Sequence, residues 1–255
     1  MSGRWQRRRR CSDRIATLTR ILHVAETGST NADLLALAKA GAEEGVWLWA
    51  DRQNAGRGRQ GRPWSSPPGN LYASTLVRLR AADPGAAGLA FVAAVALEQV
   101  VRDLLHESAA GALRLKWPND LLLAGAKLSG ILLERAEDAL VIGIGVNLAH
   151  HPDLPDRPTT SLVGHGVSVT AEAFLDSLAE AIEQWVSVWR TEGLSPVVER
   201  WLSRAHPVGT LMTARLPDGG VVEGYFDGLA PDGALRLRLA DGASRVMHAA
   251  DIFLI

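Results

Sequence analysis

Apolar and polar positions alternate along this chain with two periods, and the switches between them mark its elements. Residues 29–41 read Ser-Thr-Asn-Ala-Asp-Leu-Leu-Ala-Leu-Ala-Lys-Ala-Gly. A hydroxyl cap and Asp33 precede a leucine and alanine run that closes at glycine, which predicts a helix with defined ends. The apolar run 46–50 reads as a buried strand that delivers the chain into a glycine-, arginine- and proline-rich loop over 53–69, and a second strand follows at 71–79. Beyond the breaker Asp83-Pro84-Gly85, residues 89–105 carry their charges late, as expected of a helix lying against a sheet. Short strands are expected at 113–117, 128–134 and 140–148, with 121–123 a candidate fourth, which suggests a mixed, largely antiparallel sheet. Helical patterns return at 171–190 and 196–205, where Phe174, Leu178, Ile182, Trp185 and Trp189 recur at steps of three or four and read as core.

From residue 207 onward the pattern becomes short strands punctuated by Pro217-Asp218-Gly219-Gly220, Pro231-Asp232-Gly233 and Asp241-Gly242, the turn chemistry of a small β-barrel. The expected class is therefore α+β, with a tail at 1–20, a main domain at 21–206 and a barrel at 207–255. At 255 residues and 47% hydrophobic, the chain can bury a sizeable core. No apolar run approaches the roughly 20 residues of a membrane helix, and charges interrupt the N-terminus where a secretory signal needs its apolar stretch. The single Cys11 excludes an intramolecular disulfide and multi-cysteine metal sites, which fits a reducing cytoplasm. The net charge of −1 hides an asymmetry: residues 1–20 hold seven arginines against Asp13, or +6, so the remainder carries −7. A large nucleic-acid footprint on the body is disfavoured, and the arginines at 7–10 read first as a solvated tail.

Candidate chemistry concentrates in a few stretches. Gly56-Arg57-Gly58-Arg59-Gln60-Gly61-Arg62-Pro63-Trp64 alternates flexible backbone, able to curl its N–H groups around an anion, with guanidinium forks suited to phosphate. An exposed hinge or a nucleic-acid-binding loop would have the same composition. Its place between two apolar strands, ending in a tryptophan able to stack on a base, favours a ligand-ordered lid. Lys116-Trp117-Pro118-Asn119-Asp120 ends a leucine-rich strand with an ammonium, an amide and a carboxylate. They could serve phosphate, a purine edge and Mg²⁺ respectively, or form merely a polar turn. Lys127 enters an apolar strand; solvent exposure is the commoner fate of such a lysine, and an inward one needs a negative partner. Gly143-Ile144-Gly145-Val146-Asn147 permits close approach of a ligand or of backbone, but lacks the helix start and third glycine of a dinucleotide fingerprint. His150 and His151 read as surface residues, and nothing resembles a hydrolase triad or a metal cluster.

Taken in order, Glu26-Thr27-Gly28-Ser29-Thr30-Asn31, Gln53 with residues 56–64, and the segments 116–120, 127–132 and 143–147 resemble the biotin–protein ligases across roughly residues 21–255. The resemblance implies a class II aminoacyl-tRNA synthetase-like catalytic fold with an SH3-like terminal barrel. It implies activation of biotin by ATP and Mg²⁺ as the adenylate, then transfer to a lysine of a biotin carboxyl carrier protein. It further implies that Ser29, Thr30, Asn31 and Gln53 surround biotin, and that Arg57, Gly58 and Arg59 close over it, with Arg59 assisting chemistry. Trp64 would pack on adenine, Asn119 and Asn147 would read its edge, Lys116 and Asp120 would serve phosphates and Mg²⁺, and Lys127 would meet the biotin carboxylate and the acyl phosphate. Two departures stand out. Asn54 lies where threonine or glutamine is common, and no winged helix-turn-helix domain precedes residue 21, which argues against repressor activity and DNA binding. A lipoate–protein ligase or transferase is the nearest alternative enzyme, and a nucleic-acid-binding regulator the alternative of another class. Oligomeric state is left open, a homodimer among the options.

Overall fold

The computed structural model describes residues 6–7 and 20–254, so nearly all of the expected tail, including Arg8, Arg9, Arg10 and Cys11, lies outside the described residues. Gln6–Arg7 (β1) pairs antiparallel with Ile21–Thr27 (β2), a strand that the sequence pattern did not announce. The helix expected at 29–41 is Thr30–Lys39 (α1), with Asp33 in its first turn. Ser29 holds the N-cap position without a side-chain cap hydrogen bond, so the expected hydroxyl cap is not made; Thr27 Oγ1 instead donates to Asp33 at 2.5 Å.

Trp47–Gln53 (β3), Leu71–Arg78 (β4), Leu89–Leu104 (α2) and the short Glu107–Ala110 (α3) follow. Next come Leu113–Lys116 (β5), Asp120–Leu123 (β6), Ala126–Ala136 (β7) and Ala139–Val146 (β8). The fourth candidate strand is therefore real. Together they form one sheet in the order β1-β2-β3-β4-β8-β7-β6-β5, in which only β2 and β3 run parallel. The mixed, largely antiparallel reading holds.

Both faces of this sheet are covered, and the strands' period of two decides what each face carries. Leu71, Ala73 and Val77 of β4 and Leu140, Ile142, Ile144 and Val146 of β8 pack into the large core with α2, Ala171–Glu192 (α4) and Ser195–Leu202 (α5). Leu76 and Val141, on alternate positions, join Leu34 and Ala38 of α1 in a second cluster. The stripe Phe174, Leu178, Ile182 and Trp189 is buried, as expected, while Trp185 is half-buried and donates to Gln99 Oε1 at 3.1 Å. Glu98, buried in the middle of α2, is neutralised by Arg102, Arg200 and Arg204.

Leu211–Arg215 (β9), Val221–Leu229 (β10), Leu235–Arg238 (β11), Ser244–Met247 (β12) and Asp251–Leu254 (β13) build a second, wholly antiparallel sheet in the order β12-β11-β10-β9-β13. It is anchored to the first: Trp117 Nε1 donates to Gly233 O at 3.1 Å, and Phe91 fills the space beside Gly233. No described helix is long and apolar enough to cross a membrane.

Gly233 has φ +86° and a Cβ there would stand 2.4 Å from Phe91 Cε2, whereas Gly242, at φ +85°, faces open space. Gly233→Ala is expected to cost about 1–3 kcal/mol more than Gly242→Ala, because only the first adds overpacking to backbone strain. Urea denaturation of the two variants side by side measures the difference.

Candidate active site

A cavity of about 740 Å³ opens where the N-terminus of α1, the glycine positions of β7 and β8, the loop after β3, the β5–β6 turn and the edge strand β13 meet. Its floor lacks side chains for a physical reason. Gly130, Gly143 and Gly145 stand where the sheet face would otherwise project bulk. A Cβ at Gly143 would sit 2.2 Å from Asn31 Oδ1, and one at Gly145 would sit 2.7 Å from the Trp64 ring.

At one end the polar groups are buried and bonded to each other. Thr30 donates to Gln53 Oε1 through its backbone N at 2.9 Å and its hydroxyl at 3.1 Å. Ser74 Oγ lies 2.7 Å from Thr30 Oγ1 and 2.6 Å from Asn31 Oδ1, while Asn31 Nδ2 donates to Glu134 Oε2 at 2.8 Å. Gln53 Nε2 donates to Ser66 Oγ at 3.3 Å. Such a network fixes each amide's orientation and pre-organises neutral donors and acceptors.

At the other end stands a cluster of charge. Asp120, 6% exposed, receives Lys127 Nζ at 2.5 Å and lies 3.3 Å from Lys116 Nζ. Lys127 thus points inward, against the commoner expectation for such a lysine. Burial pushes the Asp120 carboxyl up, but Lys127 and Lys116 outweigh it and hold the group below its usual range. For Lys116 burial wins over the attraction of Asp120, so its ammonium loses its proton more readily than usual. Lys116 also donates to Ile252 O of β13 at 3.0 Å. Both oxygens of Asp120 are therefore engaged by ammonium groups, and among the described residues no group of three His, Cys, Asp or Glu is disposed to hold a metal ion.

The arginine loop lies over this cluster. Arg59, its guanidinium more readily deprotonated chiefly through desolvation, donates to Asn119 Oδ1 at 3.4 Å and Ala250 O at 3.5 Å. Arg62 pairs with Asp251 of β13, and Arg57 is exposed. Trp64 packs on Gly130 and Gly145 with Lys127 Nζ 5.6 Å from its ring centroid, and its buried Nε1 has no hydrogen-bond partner among the described residues. Asn119 Nδ2 donates to Ile131 O at 2.7 Å, and Asn147 Nδ2 to Thr160 O at 3.0 Å.

Every residue singled out from sequence lines this one cavity: Ser29, Thr30, Asn31, Gln53, Arg57, Gly58, Arg59, Trp64, Lys116, Asn119, Asp120, Lys127 and Asn147. His150 and His151 are exposed, as expected. Sequence reasoning missed Ser74, Glu134, Arg157 and Asp251. Ser74 carried a signal, a hydroxyl in the middle of an apolar strand; Asp251 carried none, since only the packing of the second sheet brings it near.

A cavity that joins neutral amides to a cationic cluster under a glycine–arginine loop has the lining of a small-molecule binding site. Residues 25–147 match the model of the biotin/lipoate A/B protein ligase family, and residues 213–255 match the biotin protein ligase C-terminal domain. A biotin–(acetyl-CoA-carboxylase) ligase of Paracoccus denitrificans is 41% identical, the match covering 90% of this chain and 98% of that protein. The ligase of the same name from Mycobacterium tuberculosis is 36% identical over 90% of this chain and 86% of its own length. A solved biotin protein ligase of Aquifex aeolicus, in complex with biotin and ATP, superposes with TM-score 0.78 at 24% identity, covering 92% of this chain and 98% of that one. The chain belongs to the biotin protein ligase family.

Asp120→Asn would leave two largely shielded ammonium groups without their counter-charge, and is expected to cost about 3 kcal/mol at neutral pH. The carboxyl is held below its usual value, so its contribution is complete above about pH 4 and is lost as pH falls through the depressed folded-state value. Stability measured against pH should therefore show an acid limb in the wild type that the Asn variant flattens.

Proposed function

We propose that this chain is an ATP-dependent biotin–protein ligase, forming biotinyl-5′-AMP with release of pyrophosphate and passing the biotinyl group to a lysine of a biotin carboxyl carrier protein or domain. The observation that carries this reading is the convergence of Arg59, Lys116 and Lys127 on one cavity whose other end is lined by neutral amides. The relatives' names and the biotin and ATP of the Aquifex complex support it.

Ser29, Thr30, Asn31 and Gln53 would take the ureido ring, because neutral donors suit a neutral ring. The carboxylate would then extend toward Lys127. Its attack on the α-phosphorus of ATP joins two anions, and the reaction requires cations that cancel their repulsion as negative charge builds on the phosphoryl oxygens. Lys116, Lys127 and Arg59 supply them here, with Arg57 and Gly58 closing the loop over the adenylate. Trp64 would pack on adenine. The amide nitrogens of Asn119 and Asn147 are already committed, so recognition of adenine by either would run through its carbonyl oxygen. Closure then keeps water from the mixed anhydride until the acceptor amine attacks its carbonyl carbon and AMP departs.

Mg²⁺ is expected to accompany the triphosphate. The donor set does not suit Asp120 as a direct ligand, because two lysines occupy its oxygens, and no step here depends on a protein-held ion. We assign the catalytic domain to 21–206, with a class II synthetase-like arrangement, and an SH3-like barrel to 207–255, both acting in the cytoplasm without DNA.

The test is exchange of labelled pyrophosphate into ATP. Biotin should support it and lipoate or octanoate should not; exchange with lipoate alone would move the assignment to the lipoate branch. Lys127→Ala should slow adenylation roughly a hundredfold to a thousandfold while circular dichroism stays native, and unchanged turnover would remove Lys127 from the mechanism.

A further inference from the structure

A second concavity, of about 660 Å³, lies where the edge strand β5 and the α5–β9 connection meet β10 and β11, apart from the cavity just described. Its walls bring together Arg102 of α2, Arg114 of β5, Arg204 and His206 of the connection and Arg236 of β11; the carboxylate among its lining residues is Asp227. Behind the wall, the single carboxylate of Glu98 serves three arginines, with Arg102 Nε at 2.6 Å, Arg200 Nη2 at 3.2 Å and Arg204 Nε at 3.7 Å. Arg236 lies 3.4 Å from the Asp227 carboxylate and donates to the Asp227 backbone carbonyl through Nε at 3.2 Å and Nη2 at 2.8 Å, and among the described residues Arg114 donates only to the backbone carbonyls of Gly111 and Leu113. Four guanidinium groups thus line the concavity with one carboxylate, and Glu98 lies behind them.

The structural role of this cluster is to neutralise buried Glu98, and one or two arginines would suffice. Arg114 and Arg236 take no part in that pairing, yet both line the concavity. Like charges gathered in a concave, partly desolvated site repel one another unless an anion joins them. Two buried donors of the lining residues, Arg204 Nε and His206 Nε2, have no hydrogen-bond partner among the described residues, though Arg204 Nε keeps its ion contact with Glu98. Guanidinium forks converging from separate elements match the tetrahedral oxygens of a phosphate group.

We propose that this concavity is a second anion site, built for a phosphate group and distinct from the nucleotide cavity. The group is either free phosphate or the phosphomonoester of a small metabolite.

His206 is a local reporter. Burial, followed by the charges of Arg114 and Lys116, pushes its imidazole down to about 4, and a dianion seated beside it must raise that value. The charges that act on His206 are those of Arg114 and Lys116, while Arg102, Arg204, Arg236 and Asp227 line the same concavity. The experiment is a titration of the full-length protein, followed through the His206 ring resonances by NMR, with inorganic phosphate in one arm and glycerol phosphate in the other. Saturable shifts and a raised imidazole value are expected, with the tighter arm identifying the source. Arg114→Gln with Arg236→Gln should weaken binding at least about tenfold with an unchanged thermal midpoint, and Arg236→Gln alone should show a smaller loss if the pair fails to fold. Arg157→Gln, in the nucleotide cavity, should leave the titration unaltered. Absence of a saturable response in either arm, a response abolished by Arg157→Gln but not by the pair, or a response to duplex DNA only would overturn the proposal.

Discussion

The geometry of this molecule is constrained above all by the need to hold like charges together out of water. Lys116 and Lys127 approach one carboxylate, Asp120, and Arg59 hangs over the same end of the cavity. Asp120 alone cannot balance three positive groups, and Asp251, whose charge also acts on Arg59, is already paired with Arg62. The residual charge is met by dipoles, the carbonyls of Ile252 in β13 and of Ala250 just before it. Such an arrangement is strained toward an anion: any ligand phosphate or carboxylate that enters replaces weak neutral acceptors with charged ones in surroundings where electrostatic attraction is little screened. Around that requirement the rest follows. Glycines clear the floor, apolar strands exclude water, and the second sheet must dock where its edge can reach the lysines.

What was legible in the sequence was whatever a local pattern determines. Helix α1, the α2 and α4 helices and strands β3 to β8 follow from periodicity within each segment, and their ends moved by only a few residues. Strand β2 escaped notice because Ile21–Thr27 is half-exposed and mixes His23 and Glu26 with apolar positions; its pairing with β3 comes from a partner two dozen residues away. The cap at Ser29 failed for a related reason, since its neighbour Thr30 turns toward Gln53 rather than toward its own helix end. Lys127 shows the same limit for chemistry. Its position at a strand entrance is compatible with solvent or with the interior, and only the β6–β7 pairing that sets Asp120 beside it decides.

The resemblance filled that gap because ordered motifs carry non-local information that periodicity lacks. Each stretch taken alone had an ordinary alternative: a hinge, a polar turn, a strand-end charge. Placing all of them on one cavity removes those alternatives together, since a solvated loop and an unrelated turn have no reason to converge. Ser74, Glu134 and Asp251 lay beyond this reach as well, being partners of the motif residues rather than members of the motifs.

The arginine loop illustrates how one segment serves both fold and chemistry. Arg62 is committed to Asp251, an ion pair between loop and second sheet whose carboxylate is well shielded from solvent, and this pins the loop's far end. Among the described residues the hydrogen bonds of Arg59 are long ones to neutral oxygens, at 3.4 and 3.5 Å, and Arg57 is exposed. A guanidinium held by a carboxylate gains the attraction of opposite charges, which one held by neutral oxygens lacks. An arriving phosphate can therefore take Arg59 and Arg57 from their present surroundings but cannot readily take Arg62 from its carboxylate. The three guanidinium groups, equivalent in the sequence, divide into one anchor and two that are free to move, and what divides them is the position of a single aspartate in β13.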